Sequence, residues 1–427
     1  MGTTKRKNDL QKMIFSNSFF LVMLVLISFA TSIRATGLNK TSQETFTVTL
    51  DSAENGSYTI DPKIPADGKV AAGTVLTVKA TPASNYSLDA IYYTVQGGKW
   101  GTTSYENFSS AMKITVSKDM SVGAIFVENK LVENINETQD VVYAKPGVKP
   151  LKYDVFSPKG AKNLPIIVNV HGGGWSSYTE DNSRALAREL VKGGRYVVFN
   201  IDYRWMDNAD GDTEPNQLHH LIEDVFGSIA HIQEHASQYG ADPNKIAVTG
   251  ESAGGHLSAA AALLSTLIGE DGFGIREGVY QYRPSYIPKG KTLEQVRTEI
   301  TSAVKASAPS YGVYDARHFE PLVKGKDQGY WNAVSPVKHV PNVKERSIPH
   351  FIVRGKRDPI VRDDMVQPFV DVLKANGQEV EYIQIENLGH GFFNWIPDYR
   401  TRATFAKHGV KYADAMRTFF DGVFYKS

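Results

Sequence analysis

The chain contains the stretch Val248-Thr249-Gly250-Glu251-Ser252-Ala253-Gly254-Gly255-His256, which joins a β-branched run at residues 245–249 to an alanine-rich segment at residues 257–267. The first run is typical of a strand and the second is typical of a buried helix. The Gly-x-Ser-x-Gly motif between them predicts a tight turn, because only small residues at 250 and 254 let strand and helix approach closely. Such a turn exposes the hydroxyl of Ser252, so we predict that Ser252 is a nucleophile.

From residue 164 onward, apolar runs alternate with helix-like segments. The apolar runs lie at residues 166–170, 196–201, 245–249, 304–306, 351–353 and 381–385, and the helix-like segments lie at residues 183–191, 217–238, 254–267, 365–375 and 411–424. Continuous apolar strands separated by helices indicate a mostly parallel sheet covered on both faces. The sequence therefore predicts an α/β fold with functional loops at the carboxyl ends of its strands.

A glycine-rich loop directly follows the first of these strands, with the sequence His171-Gly172-Gly173-Gly174-Trp175. Consecutive glycines have no side chains to block approach, and their N–H groups can form one concavity that suits a developing oxyanion. The N–H of Ala253 is a further donor, because it lies at a helix N-terminus where the dipole favours negative charge. We predict an oxyanion hole formed by Gly173, Gly174 and Ala253.

These two motifs, at residues 171–175 and 250–255, resemble those of the α/β-hydrolase fold, in particular its hormone-sensitive-lipase-like and feruloyl-esterase-like carboxylesterases. The resemblance spans about residues 141–424. It implies the chain order serine, acid, histidine, so the partners of Ser252 are expected downstream. It also implies that Ser252 attacks an acyl carbon, with a histidine as general base and an acid that orients the histidine.

The predicted acid is Asp358, because Pro359 disfavours a helical conformation at residue 358 and leaves the carboxylate in a loop. Asp363 and Asp364 are alternatives, but they fit better as the N-terminal acids of the next helix. The predicted base is His390, because glycines on both sides let its imidazole move over the serine.

Substrate contacts are predicted from the aromatic residues near these loops and from two aromatic-rich insertions at residues 269–300 and 319–331. The candidates are Trp175, Tyr203, Tyr311 and Phe392. An aromatic cleft suits a sugar ring or a cinnamoyl group better than a long acyl chain. We therefore expect acetyl or feruloyl esters of polysaccharide as substrates. Two alternatives stay open: a serine exopeptidase of the same fold, and a surface adhesion protein whose hydrolase domain has lost activity.

Four segments are predicted along the chain. Residues 1–35 carry lysines and an arginine before an apolar run and small residues, which predicts a secretory signal, with an uncleaved anchor as the alternative. Residues 44–128 are short alternating runs separated by turns, which predict a small all-β domain. Residues 129–140 are predicted to be a polar linker, and residues 141–427 the catalytic domain.

The segment at residues 44–128 resembles the divergent bacterial repeat domains of secreted and surface proteins, through its phrases at residues 68–74, 80–86 and 116–122. The resemblance implies presentation or adhesion, either as a carbohydrate or cell-wall binding module or as a spacer. We expect a secreted or periplasmic protein that can associate with the cell surface, with no membrane span once the signal is cleaved.

Composition excludes several other partners. The 47 basic and 46 acidic residues give a net charge of +1 without long runs of either sign, so nothing attracts nucleic acid or an anionic membrane. The chain has no cysteine, so disulfides and thiolate metal sites are excluded. The sequence carries no phosphate loop, nucleotide fingerprint or metal cluster, and we predict no cofactor and no metal.

Overall fold

The computed structural model describes residues 43–96, 102–206, 208–211, 214–320 and 325–426. The predicted signal at residues 1–35 lies outside the described residues. The chain from Thr45 onward forms one compact unit. None of the described helices is both long and apolar enough to cross a bilayer.

The N-terminal part is a β-sandwich, which we call the β region. Its strands are β1 (Thr45–Leu50), β2 (Gly56–Asp61), β3 (Lys69–Ala71), β4 (Val75–Pro82), β5 (Tyr86–Gln96), β6 (Thr102–Asn107), β7 (Ala111–Thr115) and β8 (Met120–Glu128). They form one sheet of order β3-β1-β8-β5-β6 and another of order β2-β4-β7. Val48, Val78 and Val122 belong to the core between the two sheets. The predicted small all-β fold is confirmed, with β3 and β6 as strands that the sequence pattern did not indicate.

The predicted linker differs in the structure. A 3-10 turn at Asn129–Leu131 is followed by β9 (Ile135–Ala144), which pairs antiparallel with β10 (Leu151–Pro158). The polar composition of residues 129–140 predicts a linker, but from residue 135 onward the segment belongs to β9, an edge strand whose side chains alternate between partly buried and exposed. The division into domains at residues 44–128 and 141–427 stays a prediction.

The larger part adds the strands β11 (Leu164–Val170), β12 (Val197–Ile201), β13 (Ala241–Glu251), β14 (Val304–Ser310), β15 (His350–Gly355) and β16 (Val380–Ile385). Its helices are α1 (Arg184–Val191), α2 (Leu218–His235), α3 (Ala253–Leu263), α4 (Leu293–Ala303), α5 (Gln328–Ala333), α6 (Asp363–Ala375), α7 (Tyr399–Thr404) and α8 (Val410–Phe424). The sheet order is β16-β15-β14-β13-β11-β12-β10-β9, and the six strands β11 to β16 run parallel.

Helices cover both faces of this sheet, as predicted. On one face, Val225 of α2 and Leu257 of α3 share a core with Val168 and Val248 of the sheet. On the other face, Leu190 of α1 and Met416 of α8 share a core with neighbouring sheet residues. The α/β prediction is therefore confirmed. The central strand β13 ends at residue 251, so the turn at Ser252 lies at the carboxyl edge of the sheet.

Candidate active site

Ser252 occupies a strained turn between β13 and α3. Its backbone has φ +55° and ψ −116°, which is unfavourable for a residue with a side chain. A Cβ atom at Gly250 would lie 2.4 Å from the carbonyl oxygen of Gly254, and a Cβ atom at Gly254 would lie 2.0 Å from that of Val170. Both glycines are therefore required by close backbone packing, and that packing holds the serine in its conformation.

The structure brings Ser252, His390 and Asp358 together. Nε2 of His390 lies 2.9 Å from Oγ of Ser252, and Nδ1 of His390 lies 2.7 Å from Oδ2 of Asp358. The other oxygen of Asp358 accepts hydrogen bonds from the N–H groups of Ile360 and Val361, at 2.8 and 2.9 Å. Asp358 is 5% exposed, so its carboxylate is fixed in orientation and shielded from solvent. This geometry can transfer a proton from the serine to the imidazole.

Asp363 and Asp364, the alternative acids, begin α6. Asp363 accepts a hydrogen bond from the hydroxyl of Tyr382, and Asp364 pairs with Arg362 at the surface. Both acids therefore have partners of their own in the first turn of a helix, as expected from the sequence.

The glycine loop lies beside the serine. Gly173 and Gly174 have φ of +89° and +57°, and both line the same cavity as Ser252. Within the described residues, no acceptor takes the N–H of Gly173, Gly174 or Ala253. The N–H of Gly172, by contrast, donates to Oε1 of Glu251 at 2.6 Å. Three backbone donors at this site are thus available to an oxyanion, and the fourth anchors the loop.

Tyr203 supports the glycine loop from the protein interior. Its hydroxyl donates to the carbonyl oxygens of His171 and Gly172, at 3.0 and 2.6 Å, and its ring stacks on His171. Tyr203 is fully buried and does not line the cavity. The prediction that Tyr203 contacts substrate is therefore wrong, because the residue faces into the protein and acts on the loop.

Tyr311 and Phe392 are also buried behind the site. Both are 0% exposed, and their rings pack against each other with centroids 4.7 Å apart. The Tyr311 ring meets the imidazole of His390 edge-on at 4.9 Å. Neither residue lines the cavity, so the two predicted substrate contacts are corrected to packing residues that support His390.

The cavity beside Ser252 has a volume of about 230 Å³. Trp175, a predicted substrate contact, lines this cavity. The other lining residues were not among the predicted contacts: Ser177, Tyr178, Glu251, Val313, Ile360, Val361, Met365 and Asn394. None of the described residues of the two aromatic-rich insertions lines the cavity; in the first insertion, Tyr282 is fully buried and Tyr280 and Tyr286 lie elsewhere. The wall near the serine is therefore mainly aliphatic, because α6 and the loop before it supply Met365, Ile360 and Val361.

Glu251 is the main residue of the site that sequence reasoning missed. Glu251 is 3% exposed and links the end of its own strand to two loops. Its carboxylate accepts a hydrogen bond from the N–H of Gly172 in the glycine loop. With its oxygen and nitrogen exchanged, the amide of Asn394, in the loop that carries His390, donates to the two carboxylate oxygens at 3.1 and 3.2 Å. Burial raises the pKa of Glu251 to about 7, against the stabilising effects of His390, Gly172 and Tyr311 on its charged form. The sequence feature that could have identified Glu251 is its position, since it is an acidic residue within an otherwise apolar strand end.

We expect Glu251→Gln to flatten the pH dependence of stability. The pKa of Glu251 is raised from 4.5 to about 7 on folding, so the native protein binds more protons than the unfolded chain between these values. The free energy of unfolding of the wild type should therefore fall as pH rises from about 4.5 to about 7, by at most about 3 kcal/mol from this residue. Denaturant unfolding of both proteins at a series of pH values measures the difference. If the free energy of unfolding changed with pH in the same way in both proteins, the assignment of the raised pKa to Glu251 would be contradicted.

Within the described residues, no group of three or more His, Cys, Asp or Glu is arranged to hold a metal ion.

The parallel sheet, with a serine at the elbow after its central strand, places the protein in the α/β-hydrolase class. Family comparison narrows this class, since residues 153–373, just over half of the chain, match the BD-FAE family model. The chain belongs to the BD-FAE family. The matched segment contains Ser252 and Asp358, and His390 lies beyond its end.

Curated relatives point to the same class. The chain is 29% identical over 249 residues to the probable carboxylic ester hydrolase LipM of Mycobacterium tuberculosis, covering 53% of this chain and 49% of LipM. It is 27% identical over 276 residues to the esterase LipQ of the same organism, covering 60% of this chain and 57% of LipQ. The chain thus spans about half the length of the curated relatives it matches.

Among solved structures, the native form of the thermophilic esterase Est2 of Thermogutta terrifontis is similar with a TM-score of 0.50. The identity is 22%, and the match covers 69% of this chain and 95% of Est2. At this identity the likeness shows the fold alone.

Proposed function

We propose that the protein is a serine carboxylesterase that cleaves carboxylic esters through an acyl-enzyme. The observation that carries the proposal is the continuous chain from Oγ of Ser252 through the imidazole of His390 to Asp358, with steps of 2.9 and 2.7 Å. The names of LipM and LipQ, both ester hydrolases, support the same reaction.

The reaction follows from the positions of these groups. His390 takes the proton of Ser252 as Oγ bonds to the acyl carbon, and the carbonyl oxygen becomes an oxyanion held by the N–H groups of Gly173, Gly174 and Ala253. The carbon–oxygen bond to the alcohol then breaks, and His390 returns the proton to the leaving alcohol. A water molecule repeats the sequence on the acyl-enzyme and releases the acid, with Asp358 stabilising the imidazolium in both halves.

Short acyl groups fit the cavity best. Its volume of about 230 Å³ is below the roughly 300–1,000 Å³ of pockets that enclose drug-sized ligands, and its aliphatic wall suits a small apolar group. We therefore place acetyl esters ahead of feruloyl esters, for which Trp175 and Tyr178 offer aromatic contacts. A long acyl chain would extend out of the cavity into solvent.

The alcohol side of the ester is proposed to be polysaccharide, and the protein to act outside the cytoplasm, secreted or periplasmic. The support is the signal-like composition of residues 1–35 and the resemblance of the β region to surface repeat domains. The β region is proposed to keep the enzyme at the cell surface or on carbohydrate.

A panel of substrates tests the proposal. We expect the highest kcat/KM on short acyl esters, including acetylated xylan, lower values on methyl ferulate, and no gain on nitrophenyl esters of long fatty acids, because methylenes that stay in solvent lack the roughly 0.8 kcal/mol each that burial would supply. A clear preference for the longest chain would contradict the assignment of the cavity. A proline amide belongs in the panel, since its rapid cleavage would favour the exopeptidase alternative.

A further inference from the structure

The loop that carries His390 needs external support. Glycines flank the histidine, and Gly391 has φ +77°, so the local sequence permits many positions of the imidazole. Two contacts near the active site restrain the loop: the N–H of Phe393 donates to the hydroxyl of Tyr311 at 3.1 Å, and Asn394 bonds Glu251. Both partners are close to Ser252, since Glu251 precedes it in the chain and Tyr311 follows Ser310, whose carbonyl oxygen accepts the N–H of Ser252.

A third contact restrains the loop further along the chain, at Trp395, and it comes from the β region. Nε1 of Trp395 donates to Oδ2 of Asp89 at 2.7 Å, across 306 residues of sequence. The N–H of Trp395 donates to the carbonyl oxygen of Asn182 at 2.9 Å, and its ring meets Phe405 edge-on. Trp395 is thereby held at both its backbone and its indole.

Asp89 reaches this position through an irregularity in β5. Leu88 pairs with Phe126 and Ala90 pairs with Ile125, so Asp89 is an extra residue in the ladder. A bulge of this kind redirects a side chain, and here the carboxylate enters the larger part of the molecule, where it is 1% exposed.

Two arginines of α1 complete the surroundings of Asp89. Nη1 of Arg188 and Nε of Arg184 donate to Oδ1, and Nη2 of Arg184 donates to Oδ2. Burial alone would raise the pKa of Asp89, but the two arginines and Trp395 hold that pKa below its usual range. Asp89 is therefore a fixed, charged acceptor, and the indole N–H has a partner of defined position.

We propose that Asp89 is a positioning residue of the active site, which acts through Trp395 to hold the loop of His390 in register with Ser252. The inference rests on the proposed ester hydrolysis for its kinetic consequence. It assigns the β region a part in catalysis in addition to any role as spacer or binding module. The ion pairs of Asp89 with Arg184 and Arg188 would suffice to join the β region to α1. The bond to Trp395 is different, because it reaches the chain five residues beyond His390.

The test compares Asp89→Asn, Trp395→Phe and the double variant. In Asp89→Asn the amide oxygen is expected to stay with the arginines, which leaves the NH₂ group facing the indole N–H of Trp395. Trp395→Phe removes the indole donor and keeps an aromatic ring against Phe405. We expect each single change to lower kcat about 10-fold with KM within two-fold, since small displacements of a catalytic group are costly. The double variant should be no slower than the slower single variant, because both changes remove the same contact.

Glu106→Gln is the matched control. Glu106 lies on β6 in the same region and pairs with the same Arg184, but it has no bond to Trp395. We expect this variant to shift Tm and to leave kcat unchanged. The proposal is overturned if Glu106→Gln lowers kcat as much as Asp89→Asn, or if the Asp89 and Trp395 variants shift Tm alone. If Asp89→Asn fails to fold, Trp395→Phe against Glu106→Gln decides.

A second measurement is independent of ester hydrolysis. The proton between Nδ1 of His390 and Asp358 should give a low-field NMR signal in the wild type and in Glu106→Gln, and His390→Gln identifies it. We expect Asp89→Asn and Trp395→Phe to broaden or shift this signal. If the wild type hydrolyses no ester but the signal responds in this way, the proposed function fails and the positioning role stands. An unchanged signal in both variants overturns the positioning role.

Discussion

The Ser252→Ala variant is expected to lose on the order of 10⁴ to 10⁶ in kcat on short esters while it keeps the wild-type fold. The loss is large because, in the part of the chain that the structure describes, the hydroxyl that lies against Nε2 of His390 is that of Ser252, at 2.9 Å. The change removes one atom from the cavity surface and leaves the glycines that shape the turn in place, so Tm should change little. Steady-state kinetics and thermal unfolding of the same preparation measure the two effects.

Ser302→Ala is the control for this change, since Ser302 lies on an exposed part of α4 and its hydroxyl donates to the carbonyl oxygen of Glu299 in the same helix. It should keep wild-type kcat. A fluorophosphonate probe should label the wild type and Ser302→Ala but not Ser252→Ala. Wild-type rates in Ser252→Ala would show that the nucleophile is another residue. A wild type that neither turns over esters nor accepts the probe would favour the inactive adhesion protein.

The Asp358→Asn variant is expected to lower kcat by about 10⁴ with a small change in stability. Oδ1 of Asp358 accepts from Ile360 and Val361, so the amide oxygen of an asparagine would take that place and its NH₂ would face Nδ1 of His390. Nδ1 must then accept, so the proton moves to Nε2, and the imidazole can no longer take the proton of Ser252. A kcat that recovers at high pH would be consistent with this tautomer effect.

Asp364→Asn is the matched control for Asp358→Asn. Asp364 lies six residues further along and is exposed beside Arg362. Its replacement should leave kcat within two-fold of the wild type. If Asp364→Asn, rather than Asp358→Asn, abolished turnover, the acid of the triad would be misassigned and the position of His390 in the structure would be wrong as well.

The sequence was most informative where one local rule decides the structure. The elbow at Ser252 could be predicted because its motif is local and Gly250 packs against Gly254 within the turn, whereas the close approach of Gly254 to Val170 of β11 depends on the fold. The positions of Asp358 and His390 followed from the fold, since the carboxyl ends of parallel strands meet at one edge. The alternation of apolar runs with helix-like segments predicted the parallel sheet, because strands that helices cover on both faces are apolar along their whole length.

Roles that depend on contacts between distant segments could not be read from the sequence. Tyr203, Tyr311 and Phe392 are aromatic residues next to catalytic loops, but whether such a ring faces the cavity or the core is decided by packing. Glu251 and Asn394 are 143 positions apart in the chain, and no local sequence pattern predicts the hydrogen bond between them. The bulge at Asp89 likewise depends on its pairing with β8.

The burial of Arg184 has a practical consequence for anyone who wishes to express the hydrolase alone. A fragment that began at residue 141 would open β9 in its middle and remove both Asp89 and Glu106. Arg184, which is 0% exposed in the intact chain, would then be stripped of two of its anionic partners on a newly uncovered surface. Truncation experiments are better designed around Thr45 as the starting residue, because from there the chain is one unit.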